Sequence, residues 1–190
     1  MLRKLLTALA VLLLAAGTAD AQQSAQKGTY RYAGVNVTSF AASPTDWLVI
    51  SGSNTKLTKV TRLSICGTAT SASTIDVLLI KRSAADTAGT QSSITGVPMD
   101  VSRGASAGTV LAYTANPTLG ATVLGGSLDG KKLNLSTVGA AGCLFWDFGT
   151  AYAEPVVLRG AIQQLAVNLN GVTVPAGTSL SYTVETTEEP

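Results

Sequence analysis

Apolar and polar positions along most of this chain repeat with a period of two, the signature of strands rather than helices. Leu180, Tyr182 and Val184 interleave with Ser181, Thr183 and Glu185, which predicts a strand with one wet face. In Gln164 to Leu169, the side chains of Leu165, Val167 and Leu169 face one way. Leu57 to Cys66 puts Thr61, Leu63 and Ile65 on one face, with Lys59 toward the solvent end, and Val60, Arg62, Ser64 and Cys66 on the other. Ile75 to Ile80 is apolar on both faces except at Asp76, which predicts a central strand covered on two sides. Further strands are predicted at Tyr30 to Phe40, Trp47 to Ile50, Val110 to Tyr113 and Pro155 to Leu158.

Turn signals separate these segments: Ser43-Pro44-Thr45, Gly52-Ser53-Asn54, Asn116-Pro117 and Pro175-Ala176-Gly177. Asp129-Gly130 and Asn170-Gly171 are dipeptides that tight hairpins favour, because both turn residues need positive φ. The second predicts a return strand over Val172 to Val174. Residues 83–108, rich in Ala, Ser, Thr and Gly and holding Pro98, read as a long loop excursion. No repeat of fixed period argues for a solenoid or propeller. The fold class predicted is all-β, a single antiparallel β-sandwich of jelly-roll type with about ten short strands.

The N-terminus breaks the pattern. Met1-Leu2-Arg3-Lys4 supplies a positive start, Leu5 to Ala16 is almost wholly apolar, and Ala19-Asp20-Ala21 has the small-x-small spacing that a signal peptidase reads. The apolar stretch is short for a transmembrane helix, so an export signal over 1–21 is expected, or an apolar anchor helix if it is retained. The membrane is expected to be touched only through this segment if it is uncleaved. A flexible polar leader over 22–28 follows, and residues 29–190 form the β-sandwich domain. Removing residues 1–21 from the 190 leaves 169, enough for one domain with a substantial core.

Charge is sparse and balanced, with 13 Lys and Arg against 11 Asp and Glu. Without a basic stripe interleaved with aromatics, no nucleic-acid partner is expected. Histidine is absent. That removes the commonest general base and the commonest metal ligand, so an enzyme is not expected, nor a cofactor or metal. Cys66 and Cys143 are the two cysteines. In an exported chain they form either one disulfide closing a long loop or two separate buried thiols, and spacing alone leaves both readings open.

Short motifs are weak. Ser53-Asn-Thr-Lys56 matches the Ser-x-x-Lys of penicillin-recognising enzymes but lies in a turn without the companion motifs. Asp147-Phe-Gly149 copies a kinase triplet without the rest of the kinase set, and Asp86-Thr87 falls short of an aspartic-protease triplet. Asp76, Asp100, Asp129, Asp147 and Glu154 are the carboxylates from which a glycosidase pair would have to come. Asn36-Val-Thr38 and Asn134-Leu-Ser136 match the glycosylation pattern, which chance supplies readily in a Ser/Thr-rich chain. Phe145, Trp146, Phe148 and Tyr152, with Trp47, are the candidates for a sugar-stacking platform or a subunit contact, and core packing is the competing role.

Several blocks occur in a familiar order: Lys59-Val-Thr-Arg-Leu-Ser-Ile-Cys-Gly-Thr-Ala-Thr70, Val77-Leu-Leu-Ile-Lys-Arg-Ser83, Ala112-Tyr-Thr-Ala-Asn-Pro-Thr118, Val157-Leu-Arg-Gly160 and Leu165-Ala-Val-Asn-Leu-Asn-Gly-Val-Thr-Val174. With them, most of residues 47–189 resembles small β-sandwich proteins of tailed bacteriophages and prophages that are described as virion structural proteins. The resemblance implies a jelly-roll module that decorates a capsid or serves a tail. It implies partners that are other virion proteins and further copies of the chain, in a homo-oligomer such as a trimer. It carries no catalytic residues. An export signal departs from that group, whose particles assemble in the cytoplasm. A secreted relative, a retained anchor or shared fold alone would each reconcile the two. The alternative function is a secreted adhesin-like module that binds surface glycans through the 145–152 aromatics. The location expected is the virion, or otherwise the periplasm or the extracellular space.

Overall fold

The computed structural model describes residues 27–123, 126–137, 139–150 and 154–190. The expected N-terminal helix over 1–21 and residues 22–26 of the leader lie outside them, as does Tyr152. The described residues contain no helix. They form strands β1 (Gly28–Val37), β2 (Asp46–Ser51), β3 (Leu57–Thr68), β4 (Ser73–Arg82), β5 (Thr90–Ile94) and β6 (Val97–Pro98). After these come β7 (Thr109–Ala115), β8 (Asp129–Leu135), β9 (Gly142–Asp147), β10 (Val156–Leu158), β11 (Gln164–Asn168) and β12 (Ser179–Glu189).

Two antiparallel sheets pack face to face in a sandwich-like arrangement. Sheet A runs β10-β3-β12-β1-β6, with β9 beside β10 on the same edge of β3. Sheet B runs β5-β7-β2-β11-β4-β8. The inward residues that alternation predicts meet between them: Leu63, Ile65, Leu180, Tyr182 and Val184 from sheet A against Ile50, Val77, Leu79, Leu165 and Val167 from sheet B. Each such side chain contributes about 1.5–3 kcal/mol on burial. Trp47 lies edge-on to Tyr182, ring centroids 5.6 Å apart, and ties the layers together.

Local departures from the predicted pattern have physical reasons. Val60, Leu63 and Ile65 are inward on β3, because the register slips where Glu185 faces Arg62 and Thr186 faces Val60. The extra residue, Thr61, makes a bulge that alternation cannot carry through. Residues 83–108 are not all loop: β5 extends sheet B and β6 extends sheet A. Asn170 and Gly171 have the positive φ expected of a tight turn (61° and 65°), yet residues 172–174 do not return as a strand. Asp129-Gly130 opens β8 instead of turning a hairpin, and β8 pairs with β4. On β4 the outward Leu78 and Ile80 are half-buried, so the strand is fully covered on one side only.

Candidate interaction surface

Residues 142–147, where no strand was predicted, form an edge strand. β9 pairs with β3 from Gly67↔Gly142 to Arg62↔Asp147. Pairing forces its side chains to alternate between core and solvent. Trp146 therefore points inward and is 4% exposed, while Phe145 points outward and is 65% exposed. The Trp146 indole N–H donates to Asp129 Oδ2 at 2.7 Å, and Lys131 Nζ sits 4.7 Å from the ring centroid. Phe148 is partly buried against the core, and Trp47 is within it. Trp47 and Trp146 thus take the competing role, core packing, and the described aromatics do not gather into one exposed platform. Of the described members of that group, Phe145 alone is exposed.

Its surroundings follow from sheet register. Positions facing each other across antiparallel strands share a face, so the outer surface of sheet A is read in rows. One row is Arg31, Glu185, Arg62 and Asp147, on β1, β12, β3 and β9. The next is Ala33, Thr183, Ser64 and Phe145. The third holds Ser181, Cys66 and Cys143, with the exposed Val35 where β1 bulges at Asn36. Arg31 reaches Glu185 at 2.9 Å, and Arg62 reaches Asp147 at 3.4 Å. Val97 and Met99 add exposed apolar side chains at the β6 border. Arg31, Ala33, Val35, Arg62, Phe145 and Asp147 on this face are exposed, while Ser64, Cys66, Ser181, Thr183 and Glu185 at its centre are half-buried.

Cys66 and Cys143 face each other in register and are joined as a disulfide, Cα atoms 4.0 Å apart. The bond lies on the solvent side of sheet A, stapling edge strand β9 to β3.

The other motif candidates do not converge. Ser53 is buried, and its hydroxyl accepts from the Thr55 amide at 3.1 Å, while Lys56 lies 3.5 Å from Glu188. Asp76 pairs with Lys132 at 2.6 Å, and Asp100 accepts from Ser102. Hydrogen bonds from Lys132 and then Asn170 hold the Asp76 carboxyl below its ordinary range. Burial pushes Asp129 up, but Trp146, Gly130 and Lys131 outweigh it and hold that carboxyl low. Glu154 is exposed. Among the described residues no three His, Cys, Asp or Glu gather as a metal site.

Two acidic sites escaped the sequence reading. On the outer side of sheet B, Arg82 forks onto Asp46 through two N–H groups and donates to the Gly120 carbonyl at 2.7 Å. Asp86 lies 3.3 Å from the same guanidinium and accepts from the Gly120 amide at 2.8 Å. All three side chains are sealed from water, and Asp86 Oδ2 has no hydrogen-bond partner. Burial first, then the neighbouring Asp46 carboxylate, raise the Asp86 carboxyl to about 6, against the pull of Gly120 and Arg82. Glu188, near the C-terminus, is the second such site and is buried. It accepts from the amides of Ala107 and Gly108 and from the Ser106 hydroxyl, closing the loop before β7. Both sites clamp loops; neither opens to a cleft.

No protein-family model, curated protein or solved structure matches this chain.

Proposed function

We propose that this chain is a non-enzymatic assembly module, a virion-associated protein of the capsid-decoration or tail-accessory kind, which acts by packing against copies of itself and other virion proteins. The observation that carries the reading is the outer face of sheet A, on which Phe145, Val35, Val97 and Met99 stand exposed. Exposed apolar groups on such a surface mark contact sites rather than chemistry. The strand order supports the jelly-roll reading: β1-β12-β3-β9 opposes β2-β11-β4-β8, so each partner of β12 in sheet A is followed in the chain by a partner of β11 in sheet B. Two interleaved Greek keys wind in this way. The resemblance of the ordered sequence blocks to those of phage virion proteins is what suggests the particle.

A solvent-facing disulfide suits an oxidising surrounding, such as the outside of a particle or an exported protein. Mass spectrometry of purified particles and of particle-free supernatant tests the proposal. Enrichment in particles supports it; presence only in supernatant overturns the virion role. The second reading, glycan binding, rests on Phe145 lying in a hydroxyl-rich row with Thr183 and Ser64. It predicts retention on a glycan array that Phe145→Ala abolishes.

A further inference from the structure

We infer that a second copy of this chain docks face to face on the outer surface of sheet A, about a two-fold axis that lies between β12 and β3 and runs parallel to them. The inference rests on the assembly reading above and names its contact. Two opposed faces of a symmetric pair need their axis within the interface plane. An axis parallel to the strands preserves position along them and reverses their order, so β1 meets the second copy's β9 and β12 meets its β3.

All three rows fit that operation. Arg31, Glu185, Arg62 and Asp147 alternate plus, minus, plus, minus across the sheet. Reversed upon itself, this order sets Arg31 against Asp147 and Glu185 against Arg62. An axis along the row would instead set like charge on like, so the charge order selects one axis of the two. In the middle row, reversal lays Phe145, the bulkiest exposed residue there, onto Ala33, the smallest. Thr183 then faces Ser64, and each hydroxyl both donates and accepts. In the third row Val35 meets the disulfide at Cys143, apolar on apolar.

The area is sufficient. Four strand positions meet, β1, β12, β3 and the β9–β10 edge; spaced at about 4.8 Å, with ten residues rising about 3.3 Å each, they span roughly 600 Å² a side, the lower end of the range for a specific interface. Twisted sheets pack aligned at about −30°, which concentrates contact on the middle row, where Phe145 and Ala33 lie.

The test uses the full-length protein as its producing cell processes it, with self-association read by analytical ultracentrifugation over a concentration series. Arg31→Glu alone and Asp147→Arg alone are each expected to weaken the dimer about tenfold or more. Together they restore it, because the swapped row, minus, minus, plus, plus, is again complementary when reversed. Independently of charge, Ala33→Cys combined with Phe145→Cys is expected to give a disulfide-linked dimer that neither single variant gives. A dimer indifferent to the reversals, or a swap that fails to restore it without the paired cysteines linking, overturns the contact. A trimer that ignores both Phe145 and the charged row also overturns it, and leaves the assembly reading standing. A chain that stays monomeric and is absent from particles removes both.

Discussion

The two sheets treat their outer faces differently. On sheet B, Val49, Tyr113 and Ala166 point away from the main core and are nevertheless buried, in a small cluster of their own with Leu111. Beside them the Asp46–Arg82–Asp86 group is sealed by the segments around 83–88 and 117–123, which bond to each other through Thr87 and Thr118 and through Ser83 and Ala121. On sheet A the corresponding face carries Ser, Thr, an open charged row and an exposed phenylalanine. The chain thus covers part of the outer face of sheet B from within and leaves more of that of sheet A open. A buried charge group fixes a covering in place; an exposed one sets which partner fits. The same residue types do opposite work according to what lies above them.

Removing a guanidinium from each face breaks the comparison most sharply. Arg82→Ala strands two buried carboxylates and is expected to cost about 3–5 kcal/mol. Arg62→Ala, removing an exposed partner of Asp147, is expected to cost under about 1 kcal/mol. Urea denaturation of both variants measures the gap. Similar losses would mean that the covering over sheet B opens to water in solution.

Strand β9 contains the same contrast between neighbours. Trp146→Ala empties an inward site and orphans Asp129 Oδ2 from its indole donor. A loss of about 3–5 kcal/mol is expected in thermal or chemical unfolding. A variant that unfolds like the parent but loses a glycan would show that Trp146 turns outward in solution, and would restore the aromatic platform.

Acidity sharpens the picture of the covered face. Asp86 titrates at about 6 in the folded chain, against 3.8 ordinarily, so between those values the folded state holds the extra proton. This contribution is therefore complete below pH 4, and is lost as pH rises through 6. A proton on the unpartnered Oδ2 also supplies a donor toward Asp46. Asp86→Asn is expected to flatten this stretch of the stability–pH curve and to stabilise the chain above pH 7 by up to roughly 3 kcal/mol. Below about pH 4 the carboxylates held low, Asp76 and Asp129 among them, work the other way: their stabilisation is present above their ordinary values and fades with acid. A wild-type curve that rises steadily from pH 4 to 8 would place Asp86 in water.

How legible this was in the sequence depends on distance. The closing strand was plain, because Leu180, Tyr182 and Val184 alternate without interruption and their neighbours are polar. The Thr61 bulge was not, because a bulge is a relation between β3 and β12 and leaves no mark on either strand alone. Phe145 and Trp146 were picked out among the 145–152 aromatics, but no strand was predicted there. Once 142–147 is a strand, period-two alternation assigns the two rings to opposite faces. Asp46, Arg82 and Glu188 carried no sign of burial, and Asp86 drew notice only as part of an incomplete protease triplet, since burial of a charge comes from loops that close over it from far along the chain. The charged row is the extreme case. Arg31 and Glu185 are 154 positions apart, and only the sheet register places them together.

The smallest expected change in stability falls on Phe145. Phe145→Ser removes a ring that is 65% exposed on an edge strand, so the unfolding free energy of the isolated chain should move by less than about 0.5 kcal/mol. If sheet A is bare because another surface covers it, the same substitution should weaken assembly far more than it weakens the fold. The measurement is unfolding at low protein concentration beside sedimentation at high concentration, on one preparation. Loss of association with an unchanged fold would make Phe145 a contact residue in the sense that Trp146, its neighbour in the chain, is a core residue. Equal losses in both would mean that the ring packs against its own chain, and that the outer face of sheet A is covered from within, as sheet B is.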